Sequence, residues 1–211
     1  MPYQEAELEL RRAQRDRFGE MRALGNLSTA QFDSGRYAEA FRSAEVQNAI
    51  AREIGSAVGE RHSLLMAGSA CRGLGDAAGA MNLLEQALRL ARVAGDQHHE
   101  SNSLLFLAEV CLDQGDPSAA RDYLERGLRL SRESGQRGRE GHLLRVLAGV
   151  HRLLGEPEPA LRCALESLAI GQRSGDEQLR RQAEDELREI EETFPGVEVT
   201  PPRSAEEALS R

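Results

Sequence analysis

Apolar residues along this chain recur three and four positions apart, and short polar stretches separate the runs. One run contains Leu104, Leu107, Ala108 and Cys111, and the next contains Leu124 and Leu128. This spacing places the apolar side chains on one face of an α-helix. The chain is therefore predicted to be all-α, with amphipathic helices of about 18–20 residues.

A strict repeat of 40 residues organises these helices. Five columns of identical residues recur at this interval. They are Gly35, Gly75, Gly115 and Gly155; Gly55, Gly95, Gly135 and Gly175; Ala40, Ala80, Ala120 and Ala160; Leu24, Leu64, Leu104 and Leu144; and Glu20, Glu60, Glu100 and Glu140. A fixed period in this range is the signature of a repeat protein. Because one helical hairpin cannot bury its apolar face alone, we expect the hairpins to stack.

The two glycine columns mark where helices end. Glycine just past a helix adopts the left-handed conformation that satisfies the last carbonyl groups. Gly115-Asp116-Pro117 supplies such a stop, then an N-capping aspartate and a proline suited to the first helical position. The same order occurs at Gly75-Asp76, Gly95-Asp96, Gly155-Glu156-Pro157 and Gly175-Asp176. Each repeat is therefore predicted to be a hairpin of two helices.

The composition excludes several classes of protein. The 27 basic residues are all arginine and face 35 acidic residues, which gives a net charge of -8 and argues against a general nucleic-acid binder. The charged start, MPYQEAELELRR, is not a signal peptide, and no window of about 18 apolar residues predicts a membrane span. Three well-separated cysteines favour a reducing compartment, so we expect a cytoplasmic protein. Arginine without lysine is typical of a GC-rich, bacterial genome.

Residue types within the repeats resemble the tetratricopeptide repeat, whose pattern is W-x2-L-G-x2-Y followed by A-x3-F. The matching residues are Leu64, Ala67, Gly68, Cys71, Ala80, Leu84 and Ala87 in the second repeat, and Leu104, Leu107, Ala108, Cys111, Ala120 and Leu124 in the third. The Trp and Tyr of the pattern are missing, and a unit of 40 residues exceeds the usual 34. The resemblance covers about residues 21–192. It implies a right-handed superhelical solenoid of stacked helical hairpins.

The length of the repeat is similar to that found in the long-repeat branch of this family. This branch includes the Leu-Gly-Asn-repeat adaptors and the repeats of bacterial regulators. Leu24-Gly25-Asn26 matches that signature in the first repeat. The predicted organisation is an N-terminal helix or half repeat in 1–20, four repeats in 21–180, a capping helix in 181–194 and a flexible tail in 195–211. Glu184 and Arg188 replace the leucine and the small residue of the pattern, which is typical of a solvent-facing cap.

The resemblance implies that the first helix of each hairpin lines a concave groove that holds a ligand. By register, the predicted groove residues are Arg22, Asn26, Thr29, His62, Leu65, Met66, Ser69, Arg72, Asn102, Leu105, Phe106, Glu109, Leu112, Asp113, His142, Arg145, Val146 and Arg152, together with Gly25, Phe32, Asp33, Gly149 and Leu153. We expect an amphipathic or extended protein segment with acidic groups to lie there.

Two features of the groove would hold such a segment. An apolar ladder, formed by Leu65, Met66, Leu105, Phe106 and Val146, is expected to be exposed when no ligand is bound and to mark the binding site. Four arginines, Arg22, Arg72, Arg145 and Arg152, are expected to bind carboxylates of the segment. Two alternatives stay open. In the first, adjacent first helices pack closely enough to bury the ladder. In the second, the tail or another copy of the chain fills the groove.

Residues that suggest chemistry lack the partners that chemistry requires. His98-His99-Glu100 contains metal-ligand types, but it is placed at a turn with no further ligand at suitable spacing. His62 and His142 fit hydrogen-bonding in the groove better than pH sensing. Cys71 and Cys111 occupy equivalent core positions. We therefore predict no enzyme activity, no metal and no cofactor.

The function favoured by the sequence is an adaptor that binds a peptide or protein segment, and neither nucleic acid nor membrane. One alternative is a regulatory sensor module of a bacterial signalling or transcription-control system, although no helix-turn-helix segment is visible. Peptide-controlled phosphatase regulators also resemble the chain, but about 20 residues before the first repeat do not supply their N-terminal helical bundle. The other alternative is a structural homo-oligomer, such as a homodimer, in which the incomplete end helices pair between copies.

Overall fold

The computed structural model describes residues 2–196, and this part of the chain forms ten α-helices and no strands. The helices are α1 (Pro2–Ala13), α2 (Arg17–Asp33), α3 (Tyr37–Glu53), α4 (Ala57–Gly73), α5 (Ala77–Ala94), α6 (Gln97–Asp113), α7 (Pro117–Glu133), α8 (Arg137–Leu153), α9 (Pro157–Ser174) and α10 (Glu177–Thr193). The predicted all-α fold is confirmed. The predicted tail lies outside the described residues from position 197 onward.

The chain divides into two compact units, Met1–Val110 and Cys111–Arg211, and the boundary falls inside α6. In the first unit, each of the helices α1 to α4 packs against the next, and α2 also packs against α4. In the second unit, α7 to α10 pack in the same consecutive way, and α8 also packs against α10. Each unit therefore consists of helical hairpins whose first helices are neighbours. The finer division into half repeat, four repeats and cap stays a prediction.

The glycine columns end the helices as predicted. All eight glycines adopt φ values between +65° and +82°, the left-handed region that favours glycine. The corresponding position between α1 and α2 is Arg15, which has φ +55°. Capping follows the prediction at Asp116, whose carboxylate accepts a hydrogen bond from the Ala119 N–H at 2.9 Å. Glu156 is an exception, because its side chain binds His151 and Arg121 and does not cap α9.

Residues of the alanine and leucine columns build the core. Ala40, Ala80, Ala120 and Ala160 are fully buried, and the leucine column is buried as well. At Gly68 on α4, a Cβ atom would lie 2.7 Å from Leu84 Cγ of α5. The absence of a side chain therefore allows these two helices to approach closely.

Three glutamates of the repeating column, Glu20, Glu100 and Glu140, each pair with an arginine of the preceding helix. Glu20 is buried and accepts hydrogen bonds from Arg12 of α1 at 3.0 Å and Arg17 at 2.7 Å. Glu140 is also buried, and it pairs in the same way with two arginines, eight and three positions earlier. Charge pairing at this turn therefore recurs at three of the four positions of the glutamate column.

Candidate functional site

The predicted groove residues all lie on the first helices α2, α4, α6 and α8. The exposed members of this predicted set are Arg22, Asn26 and Asp113. The half-buried members are Thr29, His62, Arg72, Phe106, Glu109, Leu112, His142, Arg145 and Arg152. The buried members are Leu65, Met66, Ser69, Asn102, Leu105 and Val146. Whether this set contacts a ligand stays a prediction.

Most of the apolar ladder is inaccessible to solvent. The relative exposures of Leu65, Met66, Leu105 and Val146 are 5%, 6%, 7% and 8%. The expectation that these four side chains are exposed is therefore wrong. Met66 forms a buried cluster with Ala44 and Ala67, and side chains from α2, α3 and α5 cover that cluster. The small residues let neighbouring helices approach, and the ladder becomes part of the core.

One aromatic cluster in the first unit remains partly accessible. The Phe32 ring packs edge-on against Phe106, with centroids 6.0 Å apart, and lies 5.5 Å from the Tyr37 ring. All three residues are half-buried. Gly73 of α4 makes room for the Tyr37 ring, because a Cβ atom there would lie 2.5 Å from Tyr37 Cγ. This aromatic cluster is therefore one partly exposed apolar surface of this unit.

A polar contact between helices shows how the repeats differ. The His62 Nδ1–H donates to Gln47 Oε1 of α3 at 3.1 Å. Gly25 accommodates Gln47, since a Cβ atom there would lie 2.6 Å from Gln47 Nε2. Forty residues later, Leu65 and Ala87 replace Gly25 and Gln47. The second repeat therefore has apolar side chains where the first repeat has the polar Gln47.

Asn102, which corresponds to His62 in the next repeat, is left partly unpaired by this exchange. Its amide nitrogen donates to His98 Nε2 at 3.2 Å. The Asn102 Oδ1 atom is buried and accepts no hydrogen bond among the described residues. A buried acceptor without a donor destabilises the folded state.

A cluster of charged and histidine side chains joins α4 to the beginning of α6. The buried Arg61 donates two hydrogen bonds to Asp96 Oδ2, at 3.2 Å and 2.9 Å. The same carboxylate accepts the His99 Nδ1–H at 2.9 Å and also caps α6. The His99 ring lies 6.4 Å from the His62 ring and 5.5 Å from the His98 ring. His98 and His99 therefore belong to the first turn of α6, and the expectation that they lie in a turn between helices is wrong.

Burial determines the protonation of the two inner histidines. Burial, with a smaller contribution from His99, lowers the pKa of His62 to about 4. Burial also lowers the pKa of His99, although Asp96 opposes this shift. His62 is therefore neutral at physiological pH and presents a hydrogen-bonding side chain without charge.

Two of the four predicted carboxylate-binding arginines are already paired within the chain. Arg72 donates to Glu109 at 2.5 Å, and Arg152 donates to Glu186 at 2.9 Å and also to Glu189. Arg145 of α8 is different. Its Nε–H is buried and has no hydrogen-bond acceptor among residues 2–196. Arg22 is exposed on α2.

Metal-ligand and cysteine chemistry can be checked in the described residues. No group of three or more His, Cys, Asp or Glu side chains there is placed to hold a metal ion. The three cysteines are free and buried, and burial raises the pKa of Cys163 to about 11. Within the described residues, every helix is too short or too polar to cross a membrane.

Several contact residues were absent from the sequence prediction. Tyr37 and Gln47 lie on a second helix, and the prediction considered only first helices. Glu186 lies on α10, which was treated as a cap. Position 186 lies two repeats of 40 residues after Phe106, so the period alone could have identified Glu186 as a candidate contact residue. The approach of His99 to His62 has no such signal, because it depends on the spacing between helices.

Comparison with known proteins agrees with this architecture of helical-hairpin repeats. The family model of the tetratricopeptide repeat matches residues 60–133 and 107–173, which together make up more than half of the chain. The chain belongs to the tetratricopeptide repeat family. No curated protein sequence matches it significantly.

Solved structures with a similar fold come from distant organisms. Aspartyl phosphate phosphatase F from Bacillus subtilis aligns with a TM-score of 0.75 and 15% identity, over 85% of this chain and 49% of the phosphatase. A signal transduction ATPase with a tetratricopeptide repeat sensor, from Pyrococcus horikoshii, aligns with a TM-score of 0.70 and 20% identity, over 90% of this chain and 30% of the ATPase. A kinesin light chain-like protein from Podospora anserina aligns with a TM-score of 0.66 and 18% identity, over 90% of this chain and 92% of that protein. The chain thus spans about half the length of the phosphatase, and these identities show the fold alone.

Proposed function

We propose that the chain is a protein-interaction module, an adaptor that binds an amphipathic peptide or protein segment with acidic groups along the faces of its first helices. The observation that carries this proposal is Arg145, a half-buried guanidinium on α8 whose Nε–H finds no acceptor in the described part of the chain. Removing a charged group from water without a partner is unfavourable. A carboxylate of a bound segment would supply that partner.

Comparison with Arg152 shows why a carboxylate fits Arg145. Arg152 lies two turns further along α8 and binds Glu186 and Glu189 of α10. Intramolecular carboxylates therefore neutralise one end of this face. Arginine binds carboxylates through two parallel hydrogen bonds, so a segment carrying Asp or Glu would satisfy Arg145 with defined geometry.

In the first unit, the aromatic cluster is the contact that we propose for an apolar side chain of a segment. Phe106 was predicted as a groove residue and is half-buried, whereas its neighbour Leu105 is buried. An aromatic side chain that is partly accessible gains further burial on binding. The proposed apolar contact is therefore Phe106 together with Phe32, and it replaces the buried part of the predicted ladder.

We further propose that the module is non-catalytic, cytoplasmic and bacterial, and that its 40-residue period places it in the long-repeat branch with the Leu-Gly-Asn-repeat adaptors and bacterial regulators. The alternative is a regulatory sensor module. In its favour, the similar ATPase from Pyrococcus horikoshii carries its tetratricopeptide repeats as a sensor. A structural homo-oligomer, such as a homodimer, remains a further proposal without a specific supporting contact.

The test is a selection of peptides on the immobilised full chain from a random displayed library, followed by fluorescence anisotropy with the enriched peptides. We expect enrichment of Asp or Glu next to apolar residues. Arg145→Gln should weaken binding roughly 10- to 100-fold, the value of a hydrogen-bonded charge pair of about 1.5–3 kcal/mol. Arg129→Gln, an exposed arginine of the second helix α7, is the matched control. Equal affinity for wild type and Arg145→Gln would refute the proposed role of Arg145.

A further inference from the structure

The carboxylate of Asp96 joins the beginning of α6 to α4. One oxygen, Asp96 Oδ2, accepts hydrogen bonds from Arg61 of α4 and from His99 Nδ1. The other oxygen accepts the His99 backbone N–H at 3.1 Å. Arg61 is buried, so its charge depends on this carboxylate for compensation.

His62 lies at the centre of the same contact and has little means of accommodating a positive charge. It faces Gly25 of α2, Gln47 of α3 and His99 of α6. Among these three neighbours only His99 titrates. His99 in turn faces Asp96 and His98 on its own helix and Arg61 on α4. Protonation of His62 and His99 would place two further positive charges beside Arg61, against one carboxylate.

We propose that His62, His99, Asp96 and Arg61 form an acid-sensitive latch that holds α4 against α6 near neutral pH and opens more often as the pH falls below about 6. This latch is a property of the fold and requires no ligand. Because His62 and Asn102 belong to the proposed binding face, opening would also withdraw them from a bound segment. That last consequence alone rests on the proposed function.

The direction and size of the effect follow from the histidine pKa values. A histidine whose pKa is lowered in the closed state binds more protons in the open state, so acid favours opening. The pKa of His62 is about 4 in the structure, against an ordinary value of 6.5. Lowering the pH from 8 to 5 should therefore increase the opening constant about 30-fold through His62. The lowered pKa of His99 acts in the same direction.

Hydrogen exchange of backbone amides in the full chain at pH 8, 6 and 5 tests the latch, after correction for the pH dependence of intrinsic exchange. We expect amides of α4 and the first half of α6 to lose protection about 30-fold between pH 8 and 5. His62→Gln retains an amide that can bind Gln47 and should remove most of this loss. His98→Gln, at the exposed neighbour, is the matched control and should retain it. An equal loss of protection in wild type and His62→Gln would overturn the proposal.

A second measurement needs no variant. In an NMR titration of the wild-type protein, the ring signals of His62 should keep their neutral shifts down to pH 5. Titration of His62 at its ordinary pKa with no change in exchange would show that the ring is solvated. The latch would then be refuted, whatever the outcome of the peptide selection.

Discussion

Replacing Asn102 by leucine should stabilise the protein, although Asn102 is a buried residue in the middle of a packed face. Only 7% of Asn102 is exposed, and its Oδ1 atom has no donor among residues 2–196. The corresponding histidine, His62, has Gln47 as its partner. In the second repeat, Leu65 and Ala87 present only apolar atoms at the equivalent positions. Leucine at position 102 would match these surroundings.

The expected gain combines three contributions. Removing an unpaired buried acceptor contributes about 1–3 kcal/mol. Burying a leucine side chain in place of the amide adds about 1.5–3 kcal/mol, of which imperfect packing removes a part. Losing the hydrogen bond to His98 costs about 0.5–1.5 kcal/mol, because the exposed His98 can bind water. We therefore expect a net stabilisation of about 1–2 kcal/mol, taking the lower end of each favourable contribution.

Urea denaturation followed by far-UV circular dichroism at pH 8 measures this difference. Gln47→Leu is the opposite control, since it leaves His62 Nδ1–H without its acceptor and should destabilise by about 1–3 kcal/mol. The two leucine substitutions should thus shift the urea midpoint in opposite directions. A destabilisation of more than about 1 kcal/mol by Asn102→Leu would refute the reasoning, because Oδ1 must then have a donor such as water.

Three further substitutions or reactions test other features. Arg15→Gly should raise stability by about 1 kcal/mol, because Arg15 occupies the left-handed conformation that glycine adopts at the equivalent turns; an unchanged thermal midpoint would argue against this φ angle. Glu140→Gln should cost about 1–3 kcal/mol in urea denaturation, since it removes the charge that pairs with two arginines, whereas the exposed Glu133→Gln should be neutral. Cys163 should react with a thiol reagent at pH 8 far more slowly in the native chain than in urea, because burial raises its pKa to about 11; equal rates would contradict its burial.

The sequence alone determined the features that depend on neighbouring residues. Helix ends follow from glycine, which adopts a positive φ at low cost, and the Asp116 cap requires only a residue three positions away. The alanine column predicted the core, because only small side chains permit close helix packing. The period of 40 residues predicted stacked helical hairpins, and the resemblance of the residue types to the tetratricopeptide repeat is confirmed by the family model.

Tertiary structure alone decided which of the predicted groove side chains are accessible. Leu65 and Leu105 follow the groove register, yet both are buried in the folded chain. The pairing of Arg72 with Glu109 joins residues 37 positions apart, and no local pattern specifies it. His62 is likewise neutral because of the helices around it, since burial and not sequence neighbours lowers its pKa. Helix identity is a local property, whereas burial and charge pairing depend on how far apart the helices lie.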